Sequence, residues 1–388
     1  MKSLRHLAPP FRLYSGDDSL RRLSEELARS GVRRAVVFCG KTIAHHADGL
    51  RLIAEALGDR YVGAFDSVKA HSPLSAVFAG VEKLRELRAD GVIAVGGGSA
   101  VVTARASSIL LAEKRDISEI CTQFPVGKPP VSPRLDEPKL PQFVVATTPT
   151  TAYAKAGSAV LDDVRGRRLA LFDPKTRASA LFIHPALALT ASSAITMAAG
   201  VNAFSMAVQG IESRNRDPLA DALLLHALRL LAVSLNKLTH EPNDAGTRAD
   251  LMLGALLAGQ GTDYAPTGLT SALAHSIGAR FHVNNGVTNA ILLPHTMSFN
   301  AQVTHERLAL VADALAPHAI GSPESVAIDA VKCLFGKLGL EGRLGEIGVS
   351  AESLTLIADD VSADWSLHQN PRPVRGRADI LEVLRAAW

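Results

Sequence analysis

One segment restricts this chain's architecture more than any other: Gly91-Val-Ile-Ala-Val-Gly-Gly-Gly-Ser-Ala100, with a helical pattern from about Val101 to Ala112. An unbroken apolar run of this length is a strand buried on both faces, and such strands belong to parallel sheets covered by helices. Three glycines at the strand's end allow a sharp turn straight into the helix. The turn then presents unpaired helix N–H groups and a positive dipole end, which suits the phosphates of a dinucleotide. The pattern is not the GxGxxG fingerprint, and it stands about ninety residues into the chain.

The flanking sequence repeats the theme. Arg34-Ala-Val-Val-Phe-Cys39, Tyr61-Val-Gly-Ala-Phe65 and Phe143-Val-Val-Ala146 are further strand candidates, separated by helical patterns such as Asp18 to Arg29. Strands alternating with helices predict βαβ units and a mainly parallel sheet. Pro125 through Pro141 is a proline-rich connection that cannot form a regular helix. From Ile195 onward the sequence predicts nine helical segments and no strand, among them Thr196–Ser213, Leu219–His240, Arg248–Gln260, Leu269–Phe281 and Pro323–Leu340. The fold expected is an α/β dinucleotide-binding domain over residues 1–185 followed by an all-helical domain over 186–388.

The strand at 143–146 ends in a second loop, Ala146-Thr-Thr-Pro-Thr-Thr-Ala152. Hydroxyls at a strand's C-terminal end suit ribose and phosphate oxygens. Gly96, Gly97, Gly98 and Ser99 with Thr148, Thr150 and Thr151 are therefore the candidate cofactor contacts.

Composition excludes several other classes. Net charge is +3 with cations interspersed among acids, so no basic stripe marks a nucleic-acid binder. Three distant cysteines, Cys39, Cys121 and Cys333, give neither a disulfide framework nor a zinc motif and suit a reducing cytoplasm. The apolar run from Leu219 to Leu235 is interrupted by Asp221, His226 and Arg229, which reads as a buried helix rather than a membrane span.

The two loops in this order, followed by a helical half, resemble the iron-containing alcohol dehydrogenases. Phe11-Arg-Leu-Tyr-Ser-Gly16 resembles that family's opening strand, and Leu171-Phe-Asp-Pro174 and Leu181-Phe-Ile-His-Pro185 resemble its domain junction. Gly286-Val-Thr-Asn-Ala-Ile-Leu-Leu-Pro-His-Thr-Met297 with Asn300 resembles a long family motif. The resemblance implies a homodimeric enzyme that uses NAD(P)H on a small molecule. It also locates a metal site, where the family has an Asp and a His four residues apart and then two further His. At those positions stand Asn202, Met206, Ser271 and Asn285, the latter two fourteen residues apart. An amide, a thioether, a hydroxyl and a second amide bring neither charge nor imidazole, so no bound metal is expected and these four become a substrate pocket.

Asn202, Phe65-Asp66 leading to His71, and Asn370-Pro-Arg-Pro373 resemble the maleylacetate reductase branch in particular. His71 joins the cofactor contacts. Gly40 stands where NAD-preferring relatives carry an Asp, and Lys41 adds positive charge, so NADP(H) is slightly favoured over NAD(H). His275, where the family keeps a histidine, is the candidate general acid. Tyr153 and Lys155, placed to point the same way along an extended loop, are candidates to polarise a carbonyl or hold a carboxylate. The function expected is metal-independent NAD(P)H-dependent reduction of a small oxo or enone, maleylacetate-like substrate. A redox-neutral lyase on the same scaffold and a catalytically inactive family member remain open alternatives.

Overall fold

A computed structural model describes residues 4–125, 130–362, 364 and 366–388. Residues 126–129 of the proline-rich connection lie outside the described residues, and 130–141 contain no helix. The chain divides into two compact units, residues 8–192 and residues 193–388 with 4–7. The division thus falls seven residues beyond the expected 185, and the first turn of chain belongs with the helices.

The first unit is built on six parallel strands: β1 (Arg12–Ser15), β2 (Ala35–Phe38), β3 (Tyr61–Phe65), β4 (Gly91–Gly96), β5 (Gln142–Ala146) and β8 (Ala178–Ile183). They lie in the order β1-β8-β5-β4-β2-β3, every neighbouring pair parallel. β2, β4 and β5 are wholly buried, as unbroken apolar runs require. Val37, Ile93, Val95, Phe143, Val145 and Phe182 pack with Leu20, Leu23, Leu27 and Ile53 from the Ser19–Arg29 and Gly49–Leu57 helices. Each such side chain stabilises by about 1.5–3 kcal/mol. The alternate residue Phe38 faces the Leu74–Glu86 helix, which itself packs on the Gly98–Glu113 helix through Val77, Val81, Ala106 and Ile109.

The segments Leu171–Pro174 and Leu181–Pro185 each hold the end of a strand. Leu171 and Phe172 end β7 (Arg167–Phe172), which pairs with β6 (Gly157–Asp162) in an antiparallel hairpin, while Leu181–Ile183 ends β8 inside the sheet. β6 buries Ser158 and Asp162 on either side of Val160, and β7 opens with Arg167 and Arg168, so neither has the apolar run that betrays a central strand.

The second unit contains eight α-helices and two short 3-10 turns among the described residues, rather than nine segments, and no strand. Its longest helix, Asn285–Leu315, spans 31 residues and continues through Pro294, where a break would be read from sequence alone. Leu224, Leu228, Leu231 and Leu235 of the Pro218–His240 helix join Phe204, Val208, Leu251 and Met297 in the core. Asp221 on that helix forms a bidentate pair with Arg307.

Candidate functional site

The chain leaves β2 toward β3 on one side and leaves β4 toward β5 on the other, although β2 and β4 are neighbours. Connections that diverge in this way open a crevice at the strands' carboxyl ends, where open α/β sheets bind ligands. Gly40 follows β2 and the Gly96–Ser99 loop follows β4, so both candidate segments border this switch point.

The glycine and threonine loops are packed against each other. A Cβ built on Gly97 would lie 2.1 Å from Thr148 Oγ1, and one on Gly98 would lie 3.1 Å from Thr150 Oγ1. Only glycine allows the threonine hydroxyls this close to the start of the 16-residue Gly98–Glu113 helix. The result is a cradle of backbone N–H groups and hydroxyls that fits a pyrophosphate. Thr150 Oγ1 also accepts from Ala152 N at 3.2 Å, which starts a 3-10 turn over Thr151–Tyr153.

That turn overturns one expectation. Tyr153 and Lys155 do not extend side by side from a strand. Tyr153 is fully buried and donates its hydroxyl to the Thr148 carbonyl, while Lys155 follows the turn on a half-buried loop. Burial pushes the phenol well above its usual value. Tyr153 therefore holds the threonine loop in shape and does not face a substrate.

A residue that the sequence reading missed fixes the same loop from beneath. Arg105 is completely buried and donates to the carbonyls of Ala152 (2.9 Å), Gly157 (2.8 Å) and Thr176 (3.3 Å). Its position on an apolar helix was the available signal, because a buried arginine must have polar partners.

Lys41 extends to Asp66 at the end of β3, Nζ to Oδ2 2.6 Å. The ammonium holds that carboxyl below its usual range. His71 and Ser72 both have left-handed backbones, φ 62° and 50°, a conformation that costs non-glycine residues about 1–3 kcal/mol and often marks a functional turn. Ser72 Oγ donates to the Ser99 carbonyl at 3.2 Å, tying this turn to the phosphate loop. Arg168 on β7 donates to His71 Nδ1 at 3.2 Å, which places a guanidinium beside the turn that sequence reading did not anticipate.

In the helical unit, Asn202 and Met206 share one face of the Ser193–Glu212 helix, with Asn202 Nδ2 3.9 Å from the Met206 sulfur. Asn202 Oδ1 accepts from Asn289 Nδ2 at 2.8 Å. Asn285 begins the Asn285–Leu315 helix, capped by Asn284, whose side chain accepts from Gly286 N at 2.8 Å. A Cβ on Gly286 would sit 1.8 Å from the Ala198 carbonyl, so this glycine lets the two helices meet and brings Asn289 to Asn202. Ser271 donates its hydroxyl to Gln209 Oε1 at 3.0 Å, and the same oxygen accepts from the backbone N–H groups of Gly268 and Ser271. Among the described residues, no group of three His, Cys, Asp or Glu is arranged to hold a metal ion. Asn202, Met206, Ser271 and Asn285 do not fit iron or zinc, which require charged or imidazole donors.

His275 has a carboxylate partner. Its Nδ1 lies 2.9 Å from Asp364 Oδ2, a contact across 89 residues of sequence. Burial would raise the Asp364 carboxyl, but the His275 charge and hydrogen bond, with bonds from Ser366, hold it below its usual value. An ionised Asp364 fixes the orientation of the imidazole ring.

The fold agrees with that of the relatives this chain matches. Residues 10–185 match the iron-containing alcohol dehydrogenase model, and 196–388 match the C-terminal model of the same family. The chain is 28% identical over 377 residues to maleylacetate reductase of Sphingobium indicum, covering 97% of this chain and 95% of that one. It is also 28% identical over 375 residues to lactaldehyde reductase of Escherichia coli (strain K12), covering 94% and 95%. The alcohol dehydrogenase from Oenococcus oeni has the same fold, with a TM-score of 0.89 over 98% of each chain at 23% identity. This chain belongs to the iron-containing alcohol dehydrogenase family, near its maleylacetate reductase branch, and is an NAD(P)-dependent oxidoreductase.

Proposed function

We propose that the protein reduces a small oxo or enone compound with NAD(P)H and does so without a bound metal. The observation that carries this reading is the His275–Asp364 pair, a proton donor oriented by a carboxylate in a chain whose four ligand-position side chains are uncharged. The bound nicotinamide supplies the hydride. Gly96, Gly97, Gly98 and Ser99, with Thr148, Thr150 and Thr151, hold the pyrophosphate and ribose, and Arg105 and Tyr153 keep the threonine loop in place. Asp364 accepts from His275 Nδ1 and so orients the imidazolium. His275 gives a proton to the substrate oxygen as negative charge develops there, and the neutral ring takes one back in the oxidative direction. Asp364 stabilises the imidazolium without itself being protonated.

His275→Gln is expected to lower kcat/KM for reduction by about 10²–10⁴-fold and to flatten its pH profile, with the Kd for NADH unchanged. A variant with near-normal turnover would remove His275 from the reaction. The four side chains at 202, 206, 271 and 285 shape the substrate pocket in this reading. Relatives named maleylacetate reductase and lactaldehyde reductase support a small oxo substrate. NADP(H) is slightly favoured, because Gly40 brings no carboxylate toward a 2′-phosphate and Lys41 stands next to it.

A further inference from the structure

The Leu269–Phe281 helix, which carries Ser271 and His275, begins after Gly268, a residue with no side chain to cap it. Its first N–H groups must therefore find acceptors elsewhere. Two side chains distant in sequence supply them. Asn370 takes Leu269 N at 3.0 Å. Gln209, on the Ser193–Glu212 helix, serves the same turn with one oxygen, Oε1, which accepts from Gly268 N at 3.1 Å, Ser271 N at 3.1 Å and Ser271 Oγ at 3.0 Å.

The Gln209 amide is fixed in this orientation. Its Nε2 donates to the Ser205 carbonyl at 3.3 Å and to Ser205 Oγ at 3.1 Å. A flipped amide would set N–H groups against the N–H groups of Gly268 and Ser271. Gln209 is buried, so water does not compete for these bonds.

The faces that this peg joins give it a role. Gln209 follows Met206 by three residues and Asn202 by seven, which puts it on the side of its helix that bears them both. His275 follows Ser271 by four, one turn further along the pegged helix. A shift of the first turn along or around the helix axis would carry His275 and its bond to Asp364 with it. Asn370 already caps the same turn, so what Gln209 adds is the register of one helix against the other.

We propose that Gln209 is a positioning residue for the reduction: by fixing the start of the helix that carries His275, it sets that ring against the face bearing Asn202 and Met206. The inference rests on the reading of His275 as the proton donor. A misplacement of about 1 Å can cost about 10²-fold in rate, so a register held by three bonds to one oxygen matters to the chemistry beyond its share of stability.

The test is a proton–nitrogen correlation spectrum of the full-length, NADPH-saturated protein carrying isotope-labelled histidine. The Nδ1 proton bonded to Asp364 reports the place of the His275 ring, and His275→Gln assigns that signal by its absence. His6 Nδ1, 2.7 Å from Asp217 Oδ2 in the same helical unit, is the internal reference. Gln209→Leu should shift or abolish the His275 signal and leave that of His6 in place, whereas a general loss of stability moves both. In that variant kcat for lactaldehyde should fall by about tenfold or more with the Kd for NADPH unchanged, and the fall should vanish in the His275→Gln background. Gln209→Glu keeps the acceptor oxygen and should hold the His275 signal in place, which keeps the test open if Gln209→Leu does not fold. An unmoved His275 signal in Gln209→Leu, a lost one in Gln209→Glu, or losses that multiply in the double variant would overturn the inference. Normal turnover in His275→Gln strikes the proposed function instead, because the spectra still show whether Gln209 holds the ring.

Discussion

Gly97 shows how a single hydrogen in place of a side chain can shape a site. A Cβ at this position would collide with Thr148 Oγ1, so Gly97→Ala must push the two loops apart. NADH affinity should fall by about tenfold or more, and Thr148→Ala in the same chain should restore part of it, as read by fluorescence titration. Lys41 is likewise defined by its neighbour. Because Asp66 holds its ammonium at 2.6 Å, Asp66→Asn should release positive charge and raise the preference for NADPH over NADH by about tenfold. Glu212 gives a stability prediction. It is buried, which pushes its carboxyl from 4.5 up to about 8 against the hydrogen bonds from Thr304 and Asn300. The folded protein therefore binds more protons than the unfolded chain between about pH 4.5 and 8, and stability falls as pH rises through that window. Glu212→Gln should match the wild type near pH 4.5 and raise Tm by about 3 °C or more at pH 8.5. The glycine triplet was legible in the sequence because nothing else explains three adjacent residues without side chains. The His275–Asp364 and Lys41–Asp66 pairs were not, since no spacing rule connects residues 89 or 25 positions apart.

Among the elements, those with an unbroken apolar run were read close to their true limits. The strand at Tyr61–Phe65, a half-buried edge strand, and the Leu269–Phe281 helix both match the expected spans. The β6–β7 hairpin has no such signature, and the Asn285–Leu315 helix disguises itself with Pro294. The tail motif Asn370-Pro-Arg-Pro373 acquires a mechanical role that its resemblance alone did not supply. Asn370 Oδ1 accepts from Leu269 N at 3.0 Å, and its Nδ2 donates to Asn300 Oδ1 at 2.8 Å and to the Arg372 carbonyl at 2.7 Å. Arg372 then lies over the Phe299 ring, 3.9 Å from its centroid. Asn370 thus anchors the start of the helix that carries Ser271 and His275. Asn370→Ala leaves a helix N–H and the Asn300 amide unpaired and should cost about 2 kcal/mol, visible as a Tm lower by about 4–8 °C. A variant with unchanged Tm would show that the tail does not support this helix.

At the scale of the molecule, the chain combines a sheet unit that carries the glycine and threonine loops with a helical unit that carries Asn202, Met206, Ser271 and Asn285. The two loops are packed so closely that a Cβ on Gly97 would lie 2.1 Å from Thr148 Oγ1. In the helical unit the Asn202 and Asn289 amides are paired with each other, and His275 is paired with the Asp364 carboxylate. The proposed function joins these features in a reductase that uses nicotinamide chemistry and relies on protein groups where its relatives are named for iron. The most direct test is fluorescence titration of the purified protein with NADH and NADPH, with iron and zinc measured on the same sample. The account predicts saturable binding with metal below about 0.1 per chain and no change after chelation. Iron or zinc at one per chain, or nucleotide binding that disappears with the chelator, would contradict it.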